Sequence, residues 1–348
     1  MNIGLFAPPH DAQTQALWNT IEGLALNTCR HFSLPLQGTP SVALDDTGVY
    51  WDRINVGCLD VAYIHGFSYM NPVVPPPSLG EVDWTLWQTG HIGEQQRFSF
   101  LYSAFAEMER RGVKLFNPPR VHVQNFMKVS VLESLRRSGF LIPKLLCTND
   151  MDTVLAFSGE VSQVVWRPNT GRAAWQGFLD RQRMALIDPK KPPVLLAEII
   201  EGPLIRAYIL QGRPLLLLKH NAPAYLPLET LEVFQSLDCP AVYGELQRLA
   251  EYLGVGWMQV LFVLKDHQAW IYDIDTDPIY HGLPEAYQQR IREGLARRFL
   301  GQEDAFESTT LPEQPQSRPT LFLRRMLRIL FEFEYYKYRK SDETREAL

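Results

Sequence analysis

The sequence predicts a mixed fold, an α/β unit followed by α+β units, on three observations. Over roughly the first 120 residues, short apolar runs alternate with segments of helical periodicity, the pattern of a parallel-sheet unit. Between residues 161 and 220, strand-like runs follow one another with turn signals between them, which indicates antiparallel pairing. A last pair of runs, 257–266 and 269–277, reads as a hairpin whose second strand carries aspartates at every second position.

Composition bounds the possibilities. At 348 residues the chain can hold two or three compact units, and 46% hydrophobic with 21% charged residues is ordinary globular usage. A net charge of -5 argues against a general nucleic-acid binder, which needs a basic surplus. Cys29, Cys58, Cys147 and Cys239 form no CxxC pair, so neither a zinc site nor a disulfide framework is signalled. The start MNIGLFAPPHD lacks a signal pattern and no apolar stretch approaches ~18 residues, so a soluble, cytoplasmic protein is expected.

The elements follow in order. Residues 2–7 form a strand ending at Pro8 and Pro9, and Leu17, Ile21, Leu24 and Leu26 mark a helix over about 11–29. A strand is expected within 58–67, a proline-rich loop over 71–80, and a helix over 92–112 that ends in MERRG. A further helix is predicted over 123–138, then an extended segment broken by Pro143. The strand 161–168 runs into a loop, 169–177, containing Trp175. The runs 194–202, 204–212 and 213–220 read as strands, and 241–253 as a helix. Residues 302–319 look like a linker, and 320–340 like a basic, aromatic-rich helix that needs a surface to cover, either its own body, a second subunit, a partner protein or a membrane.

The acidic run raises a physical problem. In a regular strand Asp273, Asp275 and Asp277 share one face, with Trp270, Tyr272 and Ile274 on the other. Neighbouring charges about 6.6 Å apart repel by roughly 2.5 kcal/mol at an effective dielectric near 20. Either the row is wet, or a hard cation such as magnesium offsets it.

In this order, the patterns resemble ATP-grasp ligases, most closely the group of ribosomal-protein glutamate ligases and glutathione synthetase, across about residues 1–300. The motifs that carry the likeness are Asn117-Pro118-Pro119 before Met127-Lys128, then Gly139 to Pro143, Val164-Val165-Trp166-Arg167-Pro168, Ala197-Glu198-Ile199-Ile200, Leu204-Ile205-Arg206, and Asp273-Ile274-Asp275 ahead of a proline. The resemblance implies an N-terminal α/β domain at 1–122, a central subdomain at 123–193, a C-terminal subdomain with the metal site at 194–301, and a linker and helix at 302–348. The two subdomains would clamp ATP between them.

It further implies that Lys128 and Arg167 contact phosphate, that Glu198, Ile199 and Ile200 offer a backbone edge to adenine, that Arg206 is catalytic, and that Asp273 and Asp275 hold Mg2+. The expected reaction is ATP-dependent ligation of a carboxylate to an amine through an acylphosphate, on small-molecule or peptide substrates, with a homodimer or protein partner through the C-terminal helix. The sequence departs from the family at several places. Leu261 stands where the first metal carboxylate belongs, with Gln259 two residues earlier, Met127 replaces an aspartate, and Arg167 replaces a lysine. These changes keep a second possibility open, a degenerate scaffold that binds nucleotide or a partner without catalysis. The patterns GxSxG, GxxxxGK[ST] and GxGxxG are absent, and the eight histidines give no i, i+4 pair. His281, near the acidic row, is either a substrate contact or a loop histidine.

Overall fold

The computed structural model describes residues 1–26, 28–34, 41–67, 84–169, 175, 179, 184, 187–220, 233–302 and 314–315. The loop 71–80 and the helix expected over 320–340 lie outside them, as does most of the linker.

The chain opens with β1 (Ile3–Ala7), buried along its whole length, and α1 (Ala12–Leu24), whose N-terminus is capped by the Asp11 carboxylate accepting from Thr14 N–H at 2.7 Å. The helix stops short of the expected residue 29. Leu26 is 78% exposed and gives the helix no core contact, while Cys29 begins β2 (Cys29–Ser33). Three short strands that the sequence did not announce, β3 (Val42–Leu44), β4 (Val49–Trp51) and β5 (Ile54–Asn55), make a small antiparallel sheet. β6 (Val61–Ile64) and β7 (Lys114–Phe116) complete a parallel sheet of order β2-β1-β6-β7. Between β6 and β7 runs α2 (Trp84–Arg110), which starts well before the expected residue 92. Strand order reverses between β1 and β6, so the crevice beyond their carboxyl ends is a topological switch point. Asp11 and His65 stand there.

The helix expected over 123–138 is broken. α3 (Pro119–His122) passes through a tight turn at Val123–Asn125, and α4 (Lys128–Arg137) begins afresh after the exposed Phe126 and Met127. β8 (Leu145–Thr148), the unforeseen α5 (Met151–Glu160), β9 (Val164–Pro168) and β10 (Val194–Glu198) follow, and the strands pair antiparallel as β8-β10-β9.

The largest sheet is antiparallel, of order β15-β14-β11-β12-β13-β16. It comprises β11 (Leu204–Leu210), β12 (Arg213–His220), β13 (Val233–Ser236), β14 (Trp257–Lys265), β15 (Gln268–Asp275) and β16 (Gln314–Pro315), the last lying within the expected linker. β14 and β15 form the predicted hairpin, turning at Asp266 and His267, both at positive φ (52° and 62°) as a tight primed turn requires. α6 (Tyr243–Leu253) and α7 (Glu285–Phe299) frame the sheet.

Each face of this sheet has its own task. Ile205, Ala207, Ile209, Met258, Val260 and Phe262 point to one side, where Leu132 and Leu135 of α4 and Leu246 and Leu249 of α6 cover them. The opposite face is divided into zones. At one end Tyr208, Leu210, Leu218 and Trp257 pack against α7 and the N-terminal sheet through Tyr287, Ile291, Tyr63 and Phe116. At the other end Leu204, Leu261, Val263 and Tyr272 meet Val165, Leu195, Ala197 and Ile200 of the three-stranded sheet. A polar strip lies between the two.

Asn117, at the end of β7, stitches the layers together. Its amide donates to the carbonyls of Trp257 (2.5 Å) and Thr276 (2.7 Å), and its oxygen accepts from Gly256 N–H (2.9 Å) and Trp257 N–H (3.0 Å). Among the described residues no helix is long and apolar enough to cross a membrane.

Candidate functional site

The strip is built around Asp273. A β-bulge in the β14–β15 pairing shifts register, so that Leu261 opposes Asp273 while the next residue, Phe262, opposes Ile271. Tyr272 is the residue left over. Beyond the bulge the side-chain alternation restarts out of phase, so Tyr272 and Asp273 both serve the same face of the sheet, and Ile274 turns into the other core. The expectation that Tyr272 and Trp270 oppose the aspartates is therefore corrected, and the bulge is the reason.

Two cations share the Asp273 carboxylate. Lys128, the first residue of α4, places Nζ 2.7 Å from Oδ1 and also donates to the carbonyl of Ile274. Arg167, on β9, places a guanidinium nitrogen 2.7 Å from Oδ2. Both cationic side chains are buried, although an unassisted lysine at a helix start is normally solvated surface. Burial would raise the Asp273 pKa, but the adjacent Lys128 and Arg167 outweigh it and hold the carboxyl below the usual carboxylate value.

The three aspartates do not form a common row. Asp275 follows Asp273 on the cleft face, and its Oδ1 accepts from the Asn125 amide (3.1 Å) and from Asp277 N–H (2.9 Å). Asp277 lies beyond the end of β15 and is turned away, fully buried. Its oxygens meet His65 Nδ1 at 2.6 Å and Gly66 N–H at 3.0 Å, at the switch point of the N-terminal sheet. His65 Nε2 in turn lies 3.8 Å from Asp11. The like-charge problem is thus met with a separate set of partners for each aspartate. His281 is exposed, on a loop apart from this cluster.

Arg206 is on the same face, two strands from Asp273. Register pairs Arg206 with Leu261, and Leu261 with Asp273, so the leucine stands between the charges. Gln259 occupies the corresponding place beside Asp275, with Tyr208 beyond it.

The segment Glu198 to Ile200 lies at the apolar end. Glu198 N–H donates to the Lys144 carbonyl (2.9 Å) and Ile199 N–H to the Gln163 carbonyl (3.1 Å). The remaining carbonyl of Glu198 accepts from the Tyr272 hydroxyl at 2.8 Å, and the Ile200 N–H donates to that same hydroxyl at 2.7 Å. The Tyr272 ring is 2% exposed and meets Trp175 edge to face, with centroids 5.8 Å apart; the Arg167 guanidinium lies over the Trp175 ring at 5.7 Å. Burial pushes the phenol pKa up, so the hydroxyl stays protonated and can donate and accept at once.

The residues chosen from sequence therefore sort cleanly. Lys128, Arg167, Asp273 and Asp275 come together, Arg206 flanks them, and Glu198 to Ile200 border the same crevice. Tyr272, Asn125 and His65 were missed as members. Their signals are tertiary: a bulge, a broken helix and a contact between distant strands.

No known family model matches the sequence, and no curated protein matches it. Solved structures do. An ATP-grasp ligase, PsnB, complexed with minimal precursor, Mg and ADP is 17% identical, superposes with a TM-score of 0.67, and is matched over 87% of this chain and 98% of that one. The macrocyclase MdnC bound with precursor peptide MdnA from Microcystis aeruginosa MRC is 13% identical, with a TM-score of 0.65 over 86% and 100%. A RimK domain ATP-grasp protein from Sphaerobacter thermophilus is 14% identical, with a TM-score of 0.53 over 86% and 100%. The chain has the ATP-grasp fold.

Proposed function

We propose that the chain is an ATP-dependent carboxylate–amine ligase with a peptide substrate, divided near residues 122, 193 and 301 into the domains expected from its sequence. One observation carries this reading: Lys128 and Arg167, from separate elements, converge on Asp273 in the crevice between two sheets. A buried cation pair held on one carboxylate is suited to exchange, since phosphate oxygens can take over both cations and release Asp273. The solved relatives named above, two of them complexed with a precursor or precursor peptide, support the choice of a peptide.

The phosphate end fits such a substrate. Lys128 and Arg167 would neutralise phosphate oxygens, and Arg206, across Leu261, would meet charge building on the transferred group. Mg2+ would be held by Asp273 and Asp275 and would supply charge neutralisation on the phosphates. With Leu261 apolar, Asp273 and Asp275 would be the carboxylates left to hold it, enough for one ion. The substrate carboxylate oxygen attacks the γ-phosphorus and ADP leaves; the amine nitrogen then attacks the acyl carbon, expelling phosphate and losing a proton. The protein positions and neutralises without a covalent step of its own. Four free thiols accord with a cytoplasmic setting.

A second reading, a non-catalytic scaffold, is favoured by Leu261 at the first carboxylate position and by the occupied backbone edge at Glu198 and Ile200. Thermal unfolding with Mg2+ and tripolyphosphate, or Mg2+ and ATP, decides between them. The ligase reading expects a rise in melting temperature that needs both metal and phosphates and disappears in Lys128→Ala, together with ADP release when peptide is added. Absence of any shift would leave only the scaffold.

A further inference from the structure

The phosphate end of the crevice offers charged side chains for exchange, whereas at the other end the backbone groups that face it are already engaged. Every backbone N–H and C=O from Glu198 N to Ile200 N that could read a base already has a partner within the chain, apart from the Ile199 carbonyl. The two that face the crevice, Glu198 C=O and Ile200 N–H, are bridged by a single phenol. A hydroxyl that donates to the carbonyl and accepts from the N–H reproduces the donor and acceptor pair of an adenine edge. The volume beside it holds the Tyr272 ring and the Trp175 indole, closed by Leu261, Val263 and Leu204. Register explains how the tyrosine comes to be there, since only the bulge places residue 272 on the cleft face together with Asp273.

We propose that Tyr272 is an internal occupant of the purine-reading edge, so that the wild-type chain engages a nucleotide through its phosphates and does not read the base. This rests on the nucleotide-binding reading above and adds a specificity to it. The base of any bound nucleotide is left outside the crevice, and ATP, GTP and bare tripolyphosphate become near equivalents. Tyr272→Ala frees two hydrogen-bonding groups and the ring volume together.

The test is calorimetric titration of the full chain with Mg2+ complexes of ATP, GTP and tripolyphosphate. Wild-type affinities are expected to agree within about threefold, because no base contact is available. Tyr272→Ala should bind ATP at least about tenfold tighter than GTP, as two regained hydrogen bonds allow, with tripolyphosphate unchanged. Wild-type protein that prefers ATP over GTP by about tenfold overturns the proposal. So does a folded Tyr272→Ala that gains nothing for ATP, or one whose tripolyphosphate affinity moves as far as its ATP affinity. If Tyr272→Ala does not fold, Tyr272→Val, which keeps a strand-forming side chain but removes the hydroxyl and the ring, takes its place, and no gain in ATP affinity there overturns it equally. Tripolyphosphate, which has no base, judges the phosphate end separately. Its failure to bind either protein sinks the ligase reading, while the ATP comparison still decides the role of Tyr272.

Discussion

Leu261 stands directly opposite Asp273 on the neighbouring strand, with Arg206 on its other side, so an apolar side chain separates a carboxylate from the nearest arginine in the same row of the sheet. With strands about 4.8 Å apart, Arg206 and Asp273 are separated by roughly 10 Å of backbone. The pair Lys128 and Arg167, not Arg206, neutralises Asp273.

Leu261→Asp should create a second carboxylate between the two charges. Repulsion from Asp273 and attraction to Arg206 act across similar distances and largely cancel, leaving the desolvation of a buried carboxylate as a cost of about 1–3 kcal/mol. Added Mg2+ with tripolyphosphate should recover that loss. Denaturant unfolding with and without the metal complex checks this; a variant whose stability ignores Mg2+ would show that the row does not form a metal site.

Asp273→Asn removes the counter-charge of two buried cations, and breaking such a pair costs about 3–5 kcal/mol. The sign with pH follows from the lowered carboxyl pKa. Its stabilisation is complete above the unfolded carboxylate value of about 3.9 and is lost as pH falls through the lower folded value. Acid unfolding should therefore show a component below about pH 4 in the wild type that Asp273→Asn lacks.

How much of this was legible in the sequence depended on range. The short apolar runs at 204–210, 213–220 and 257–265, with turn signals between them, announced the large sheet, because a strand-length run and the turn that ends it are local features. α7 escaped notice because Tyr287, Ile291, Leu295 and Phe299 stand four apart among arginines and glutamines, an apolar stripe one residue wide. The bulge at Tyr272 changes no residue type, so Tyr272 read as one more apolar strand residue. Asp277 was assigned to a row by its spacing, whereas its partner His65 lies just past the end of β6, 212 residues away in sequence.

Two buried imidazoles predict a second pH effect. Burial holds the pKa of His122 below its ordinary value, with Asp277 pulling weakly the other way. Burial and then the nearby Arg206 depress His220 much further. Below about pH 6.5 the unfolded chain binds protons that the folded chain refuses, so stability falls with pH by up to about 1.4 kcal/mol per unit for each ring. His220→Gln should flatten part of this slope between about pH 6.5 and pH 5. Denaturant unfolding at several pH values measures it, and an unchanged slope would mean that His220 charges freely in the native state.

The side chain of Asn117 is the remaining point of leverage, because it joins the end of the last strand of the parallel sheet to the start of β14 and to Thr276, just beyond the strand that carries Asp273 and Asp275. Asn117→Ala strands the carbonyls of Trp257 and Thr276 and the N–H groups of Gly256 and Trp257 in a buried seam. Each unsatisfied buried group costs about 1–3 kcal/mol, and relaxation or water can recover part of the total, so a loss of at least about 3 kcal/mol is expected. Asn117→Asp keeps the two acceptor bonds but replaces the donating amide with a carboxylate facing two carbonyls. It should be at least as damaging as alanine at neutral pH and should improve as acid protonates the new carboxyl. Urea unfolding of both variants across pH reads this directly. Equal, pH-independent losses would show that the donor bonds to Trp257 and Thr276 contribute nothing, and that the seam is held by packing of Phe116 and Phe299 alone.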